Sequence, residues 1–161
     1  DYENYYVTAG VLDSGNIIVY SYPYRKNAPI DEYNIPYVTS ADEGRTWSEV
    51  RTTHFARAIR NPQLSRKIGD LYFLHGRSGS MSRDPGHLIL YSSSDGVHWD
   101  DGAFLHRKKI GGHHAYSANE VAGKYDPAVP DRLIIQSSIA YEDGNNKVNE
   151  HHWWVEEIDG A

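Results

Sequence analysis

The sequence contains no cysteine, which excludes a disulfide framework and any metal site built on thiolates. It also has no apolar run approaching the about 18 residues that a membrane-spanning helix needs. Acidic residues outnumber basic ones by 22 to 16. The resulting formal net charge of -6 at pH 7 disfavours nucleic acid or an anionic membrane as the default partner. Phenylalanine is scarce, with three residues against thirteen tyrosines and four tryptophans. Such amphipathic rings suit both ordinary strands and sugar-binding clefts.

The length of 161 residues is that of one ordinary domain, long enough to bury a core. The chain starts at Asp1 with neither an initiator methionine nor a signal-peptide pattern. We therefore expect a mature chain or a piece of one. The lack of cysteine is compatible with the cytosol, the periplasm or secretion.

Short β-rich runs recur between clusters of Gly, Asp, Asn and Pro, while helical periodicity is hard to find. Two of these clusters are copies of each other, with tryptophans 52 residues apart in sequence. In each copy an aspartate can bind backbone N–H groups and a glycine accepts positive φ, so each predicts a turn. The defining residues are Ser40, Asp42, Gly44 and Trp47 in the first copy, and Ser93, Asp95, Gly96 and Trp99 in the second.

The repeat predicts an all-β propeller with about three four-stranded antiparallel blades, each of about 50 residues. The expected blades are residues 1–55, 56–108 and 109–161, and the outer strands of the first two are expected to start at Trp47 and Trp99. Propellers close with about 4 to 8 blades. We therefore expect this chain to be part of a larger ring of about six blades, completed by the parent protein or by another chain. A compact all-β sandwich with two similar turns is the alternative.

The pattern SxDxGxTW resembles the Asp box, or BNR repeat, of the sialidase-type β-propellers. The first copy matches at every defined position, whereas the second is one residue shorter and has His98 where threonine is usual. In that family the Asp box is a structural turn far from the chemistry. The resemblance therefore implies the fold more strongly than a function.

The second unit is similar to the first catalytic blade of sialidases, from Ile59 to Trp99. The resemblance implies that Arg60, in Arg-Asn-Pro, is one clamp for the substrate carboxylate and that Asp84 is the general acid/base. Arg77 would be a neighbouring residue of the cleft. A guanidinium offers a carboxylate a fixed fork of donors that lysine cannot copy. Alternatively, Arg60 pairs with an acidic residue of a neighbouring strand, and Asp84 before a proline is a plain turn.

The third unit contains Tyr116-Ser117, which is similar to the sialidase segment that carries the tyrosine nucleophile. The resemblance implies Tyr116 as nucleophile, with Glu120 as its conceivable base. In the family this tyrosine lies several blades after the arginine motif, whereas here one blade boundary separates them. His114 is a candidate substrate contact. His114 and Tyr116 could instead abstract a proton from a uronic acid, as in some polysaccharide lyases.

No cofactor is expected, and no metal either, because adjacent histidines on a strand point to opposite faces and cannot chelate one ion. The best functional expectation is a sialidase-like exo-glycoside hydrolase that acts on acidic or neutral glycans. A polysaccharide lyase is one alternative. Another is a propeller that binds glycan or protein without catalysis, with Tyr20, Tyr22 and Tyr91 lining an exposed groove. The family resemblance favours a secreted or periplasmic location.

Overall fold

The computed structural model describes residues 3–24, 31–78, 87–106, 118–120, 132–140 and 148–156. These ranges form β-strands joined by turns and short loops, and they contain no helix long and apolar enough to cross a bilayer. The strands are β1 (Glu3–Val11), β2 (Ile17–Tyr24), β3 (Asn34–Ser40), β4 (Arg51–His54), β5 (Ile59–Ile68), β6 (Leu71–Ser78), β7 (Leu88–Ser93), β8 (Ala103–His106), β9 (Ala118–Glu120), β10 (Arg132–Ala140) and β11 (Val148–Glu156).

The strands form three antiparallel sheets in which chain neighbours are also sheet neighbours. The first sheet is β1-β2-β3-β4, the second is β5-β6-β7-β8, and the third is β9-β10-β11. The leading strands contact one another, β1 with β5 and β5 with β9, so the sheets stand side by side around a common inner edge. The predicted all-β propeller is confirmed, because a two-sheet sandwich has no middle sheet packed on both faces. The third sheet has three strands among the described residues, one fewer than the four expected per blade.

The main core lies between the first and second sheets. Alternate residues of β2 (Ile18, Tyr20 and Tyr22) are buried completely or nearly so, as the period-2 pattern of a strand requires. They meet residues of the second sheet that alternate in the same way. The remaining buried members of this core are Ile35, Tyr37, Phe55, Ile59, Leu74, Ile89 and Tyr91.

A second core lies between the second and third sheets. It contains Phe73 and Leu88, whose chain neighbours Leu74 and Ile89 belong to the main core. The third sheet contributes Ile135. Strand β6 is therefore buried on both faces, which explains why residues 71–74 form a continuous apolar run rather than an alternating one.

The tyrosines expected to line an exposed groove are buried instead. Tyr20 and Tyr91 are 0% exposed and Tyr22 is 1% exposed. Each hydroxyl donates a hydrogen bond to an acceptor inside the protein, which removes the cost of burying it. The acceptors are the Gly96 carbonyl oxygen, the Glu32 carboxylate and the Arg57 carbonyl oxygen. The prediction of an aromatic groove at these three residues was wrong.

The two repeated turns occupy equivalent places in consecutive sheets, each joining the third strand to the fourth. In the first turn, Ser40–Trp47, the Gly44 N–H donates to Ser40 Oγ at 2.8 Å. The Asp42 carboxylate accepts from the Thr46 N–H at 2.8 Å and from the Thr46 hydroxyl at 2.6 Å. These bonds close the turn from inside.

The second turn, Ser93–Trp99, uses the same scheme with one residue fewer. Its Ser93 Oγ accepts from the Gly96 N–H at 2.9 Å, and Asp95 Oδ1 accepts from the backbone N–H groups of Val97 and His98 at 2.8 Å each. The His98 ring lies 2.7 Å from Asp95 Oδ2. Histidine therefore takes the place of the threonine hydroxyl in the first turn.

The outer strands begin later than expected, at Arg51 and Ala103 rather than at the tryptophans. The cause is the same in both sheets. After each tryptophan one backbone bond continues the pairing, from Ser48 N to Thr39 O and from Asp100 N to Ser92 O. The return bond goes to a side chain: the Thr39 N–H donates to Ser48 Oγ, and the Ser92 N–H donates to Asp100 Oδ1. In a regular ladder a backbone carbonyl oxygen would accept each of these bonds. Regular pairing resumes only a few residues later.

Trp99 fixes the second turn to the first sheet. Its ring stacks on Phe55 with centroids 6.0 Å apart, and its Nε1 donates to the Tyr20 hydroxyl at 3.3 Å. Trp47, in the equivalent place of the first sheet, is 46% exposed. Interlocking of the turn with the preceding sheet thus holds the two sheets together.

Substitution of Gly102, the glycine before β8, tests how rigidly Tyr91 is packed. Gly15 and Gly102 both have positive φ, but a Cβ at Gly15 would meet nothing within 4 Å, whereas one at Gly102 would lie 2.5 Å from the Tyr91 ring. Gly15→Ala should cost about 1–2 kcal/mol of unfolding free energy from backbone strain. Gly102→Ala should cost about 1–3 kcal/mol more from overpacking. Urea unfolding of both variants measures the difference, and equal costs would contradict the packing.

The first turn predicts a pH dependence. Hydrogen bonds from the Thr46 hydroxyl and N–H lower the pKa of Asp42 to about 2. A lowered pKa in the folded state stabilises the fold above the unfolded value of about 4, and this contribution is lost as the pH falls towards about 2. Thr46→Val removes the hydroxyl but keeps the N–H, so the pKa of Asp42 should rise part of the way to its ordinary value. NMR titration measures it, with Arg45→Ala, an exposed neighbour, as control.

Candidate functional site

Arg60 and Arg77, two of the residues singled out in the second unit, lie at one end of the sheets, which we call the upper end. It is the end where β1 and β5 begin and where β2 and β6 finish. The Ile59 N–H donates to the Glu32 carbonyl oxygen at 2.8 Å, which joins the first two sheets there. At the opposite end Lys67 pairs with Asp13 at 2.7 Å. The two sheets therefore lie side by side with their upper ends together and their lower ends together.

Arg60 and Arg77 are brought together at the upper end. They are register partners on β5 and β6, so their Cα atoms lie about 5 Å apart. The Arg60 side chain is 33% exposed, and Arg77 is buried to 9% exposure. Like charges directly opposite on a sheet destabilise it, so the pair requires a nearby negative group.

Glu32 supplies that negative charge, and sequence reasoning missed it. It lies between β2 and β3 of the first sheet and is only 2% exposed. Its Oε1 lies 3.4 Å from Arg60 Nε and accepts a hydrogen bond from the Tyr22 hydroxyl at 3.0 Å. The alternative interpretation expected an acidic partner for Arg60 from a neighbouring strand; the partner comes instead from a loop of the neighbouring sheet.

Tyr22 completes this arrangement, which we call the Arg60 cluster (Tyr22, Glu32 and Arg60). The Arg60 Cζ atom lies 5.5 Å from the centroid of the Tyr22 ring, within the range of a cation–π contact. Burial raises the pKa of the Tyr22 hydroxyl, and the Glu32 charge raises it further. Tyr22 therefore stays protonated and keeps donating to Glu32. The Arg60 side chain thus packs against Glu32 and the Tyr22 ring, and a third of it remains exposed to solvent.

Three of the four other candidates, Asp84, His114 and Tyr116, lie outside the described residues. In sequence Asp84 falls between β6 and β7. Glu120 is the last residue of β9 and pairs in register with Ile135. The roles of these residues remain predictions.

The described part of the chain contains no group of three or more His, Cys, Asp or Glu side chains placed to hold a metal ion. His113 and His114 lie outside it. His151 and His152 are described only as backbone of β11. The nearest approach to a catalytic pair among the described histidines is His75, whose Nδ1 lies 2.8 Å from Ser65 Oγ. Both are buried, so this pair joins β5 to β6 out of reach of a substrate.

No protein-family model and no curated protein matches the sequence, but solved structures match its fold. An α-L-arabinanase of Penicillium chrysogenum complexed with arabinobiose has a TM-score of 0.64 and 21% identity, over 98% of this chain and 48% of that one. A GH93 α-L-arabinofuranosidase of Fusarium graminearum with arabinobiose has a TM-score of 0.62 and 20% identity, over 96% and 45%. The chain thus spans about half the length of these proteins. At this identity the likeness establishes the β-propeller fold alone.

The Arg60 cluster should stabilise the packing of the first two sheets. Glu32→Gln keeps an acceptor for Tyr22 but removes the charge facing Arg60, and should cost about 1–3 kcal/mol of unfolding free energy. Tyr22→Phe, which removes only the hydroxyl, should cost about 0.5–1.5 kcal/mol. In an Arg60→Met background Glu32→Gln should cost less, since the charge of Arg60 then no longer needs compensation. Urea unfolding of the cycle measures this, and equal costs in both backgrounds would show that the two side chains do not interact.

Proposed function

We propose that this chain forms part of a β-propeller exo-glycoside hydrolase, sialidase-like in its use of an arginine clamp and an aspartic acid. The observation that carries the proposal is the Arg60 cluster. An arginine side chain that is one-third exposed, with its Nε buried near a buried carboxylate and its Cζ over a tyrosine ring, lies near the start of an inner strand. A fixed donor fork beside the axis of a propeller suits the binding of a polar sugar substituent.

In this proposal each candidate has one task. Arg60 binds a carboxylate or hydroxyl group of the terminal sugar, with Arg77 beside it. Asp84 protonates the oxygen of the leaving group as the glycosidic bond breaks. Tyr116 attacks the anomeric carbon while Glu120 takes the proton of its hydroxyl, so the nucleophile approaches a substrate carboxylate without a negative charge. Water, deprotonated by Asp84, then displaces Tyr116 from the anomeric carbon and releases the sugar, and Glu120 returns the proton to Tyr116. His114 contacts the substrate near this tyrosine.

The substrate class is a glycan with an accessible terminal sugar, acidic or neutral. The Glu32 charge offsets that of Arg60, so the clamp is as suited to hydroxyl groups as to a carboxylate. The structural neighbours are described with arabinobiose, a neutral ligand, whereas the sequence resemblance favours sialic acid. The net charge of -6 gives no long-range attraction for an acidic glycan.

The rest of the ring is also part of the proposal. Because the chain spans about half of its structural neighbours, we propose that further blades, from a longer protein or from a second chain, complete the propeller. A secreted or periplasmic location remains an expectation from the family resemblance. The non-catalytic alternative loses the aromatic groove on which it depended, since Tyr20, Tyr22 and Tyr91 are buried.

Substitution of Asp84 tests the reaction. In the full chain, Asp84→Ala should lower turnover of an aryl α-L-arabinofuranoside or an aryl sialoside by about 100-fold or more, because the general acid is lost. The thermal unfolding midpoint should not change. Asp70→Ala is the matched control, since Asp70 is a fully exposed carboxylate at the other end of the same sheet.

Three results would contradict the proposal in different ways. Undiminished turnover in Asp84→Ala would remove the assigned acid. No turnover of either glycoside by the unaltered chain would favour a binding propeller. An unsaturated product with near-ultraviolet absorption, released from a uronic polysaccharide, would favour the lyase.

A further inference from the structure

The inner strands of the first two sheets contain the same irregularity. In β1 the register shifts directly after the pair Tyr5–Tyr22, and in β5 directly after the pair Arg60–Arg77. In both strands the next residue has positive φ, 56° at Tyr6 and 53° at Asn61. A β-bulge of this kind bends the strand and redirects its side chains, and bulges are frequent next to active sites.

Tyr6 is an unusual residue for this conformation. Asparagine tolerates the left-handed region, but a bulky aromatic side chain there is a genuine outlier that costs stability. In addition, Tyr6 is 50% exposed although most described tyrosines are buried or nearly so. The fold therefore bears backbone strain that places an aromatic ring in solvent.

The exposed ring lies beside the Arg60 cluster. Tyr6 and Tyr22 have ring centroids 6.3 Å apart in an edge-to-face arrangement, and the Arg60 Cζ atom lies 5.5 Å from the same Tyr22 ring. Tyr6 and Arg60 thus flank one buried ring at the upper end of adjacent inner strands. Both side chains are partly exposed, Tyr6 to 50% and Arg60 to 33%, so a ligand at the upper end could touch both.

We propose that Tyr6 is a binding residue that stacks on the apolar face of a sugar ring, while Arg60 binds a polar substituent of the same or the adjoining sugar. The inference rests on the proposed function and extends it, because it adds a residue of the first blade to a substrate site that so far contained residues of the second and third. An aromatic ring offers a large, rigid contact surface to the C–H face of a sugar, and its hydroxyl can remain in water. The ligand class is an oligosaccharide of at least two units.

Three variants of the full chain separate binding from folding. Tyr6→Gly removes the ring and also relieves the strain at positive φ. Tyr6→Phe keeps the ring, and Val7→Ala changes the adjacent exposed residue as control. The probes are arabinobiose and 3′-sialyllactose, titrated by NMR, with thermal unfolding measured in parallel.

We expect Tyr6→Gly to weaken binding of the bound probe about tenfold, as the loss of one aromatic stacking contact predicts. Its unfolding midpoint should stay the same or rise. Tyr6→Phe and Val7→Ala should bind as the unaltered chain does. In the unaltered chain, the ring protons of Tyr6 should show intermolecular NOEs to the sugar, a readout that needs no variant.

Three results would overturn the inference. If Arg60→Ala loses binding while Tyr6→Gly retains it and no NOE to Tyr6 is seen, the Tyr6 assignment is wrong and the proposed function stands. If the unaltered chain binds neither probe, the inference and the proposed glycan specificity fail together. A fall in unfolding midpoint for Tyr6→Gly, with unchanged affinity, would identify Tyr6 as a packing residue.

Discussion

The interlocking of the second turn with the first sheet is the contact on which the remaining architecture depends. The Tyr20 hydroxyl donates to the Gly96 carbonyl oxygen and accepts from Trp99, so one buried side chain of β2 binds both the middle and the end of the turn. The Thr53 hydroxyl donates to the carbonyl oxygen of Val97. Apolar burial alone is non-directional, whereas these bonds fix how far one sheet is rotated against the next. A fixed rotation from each sheet to the next is what arranges the sheets as the blades of a propeller.

The same alignment creates the Arg60 cluster. Glu32 belongs to the first sheet and Arg60 to the second, and the two opposite charges face each other at 3.4 Å where the sheets meet, which offsets part of the cost of burying them. Two arginines opposite each other on one sheet would repel without that carboxylate. Among the described residues, the seam between the first two sheets thus contains both the larger apolar core and a buried charge pair. Tyr22 links the two, because its ring belongs to the core and it contacts both charged groups.

The sequence was sufficient for the repeated turns and the order of strands, because Asp, Gly and a following tryptophan have local structural meaning. His98 in place of threonine shows that the pattern tolerates any donor that reaches the second carboxylate oxygen. Glu32 could not be found this way, since it lies in a polar loop and its partner is 28 residues away in sequence. The late start of the outer strands depends on side-chain oxygens of Ser48 and Asp100, which no periodicity records.

Paired bulges at equivalent places of β1 and β5 argue that the upper end is shaped by selection for something other than stability. At Asn61 the residue type matches the left-handed backbone, so the bulge there costs little. At Tyr6 it does not, and glycine or asparagine would be the better choice for folding. A fold that retains tyrosine at that position, half exposed and beside an arginine held by a buried carboxylate, gives up stability for a surface. On the proposed function, that surface would be the one that recognises the glycan.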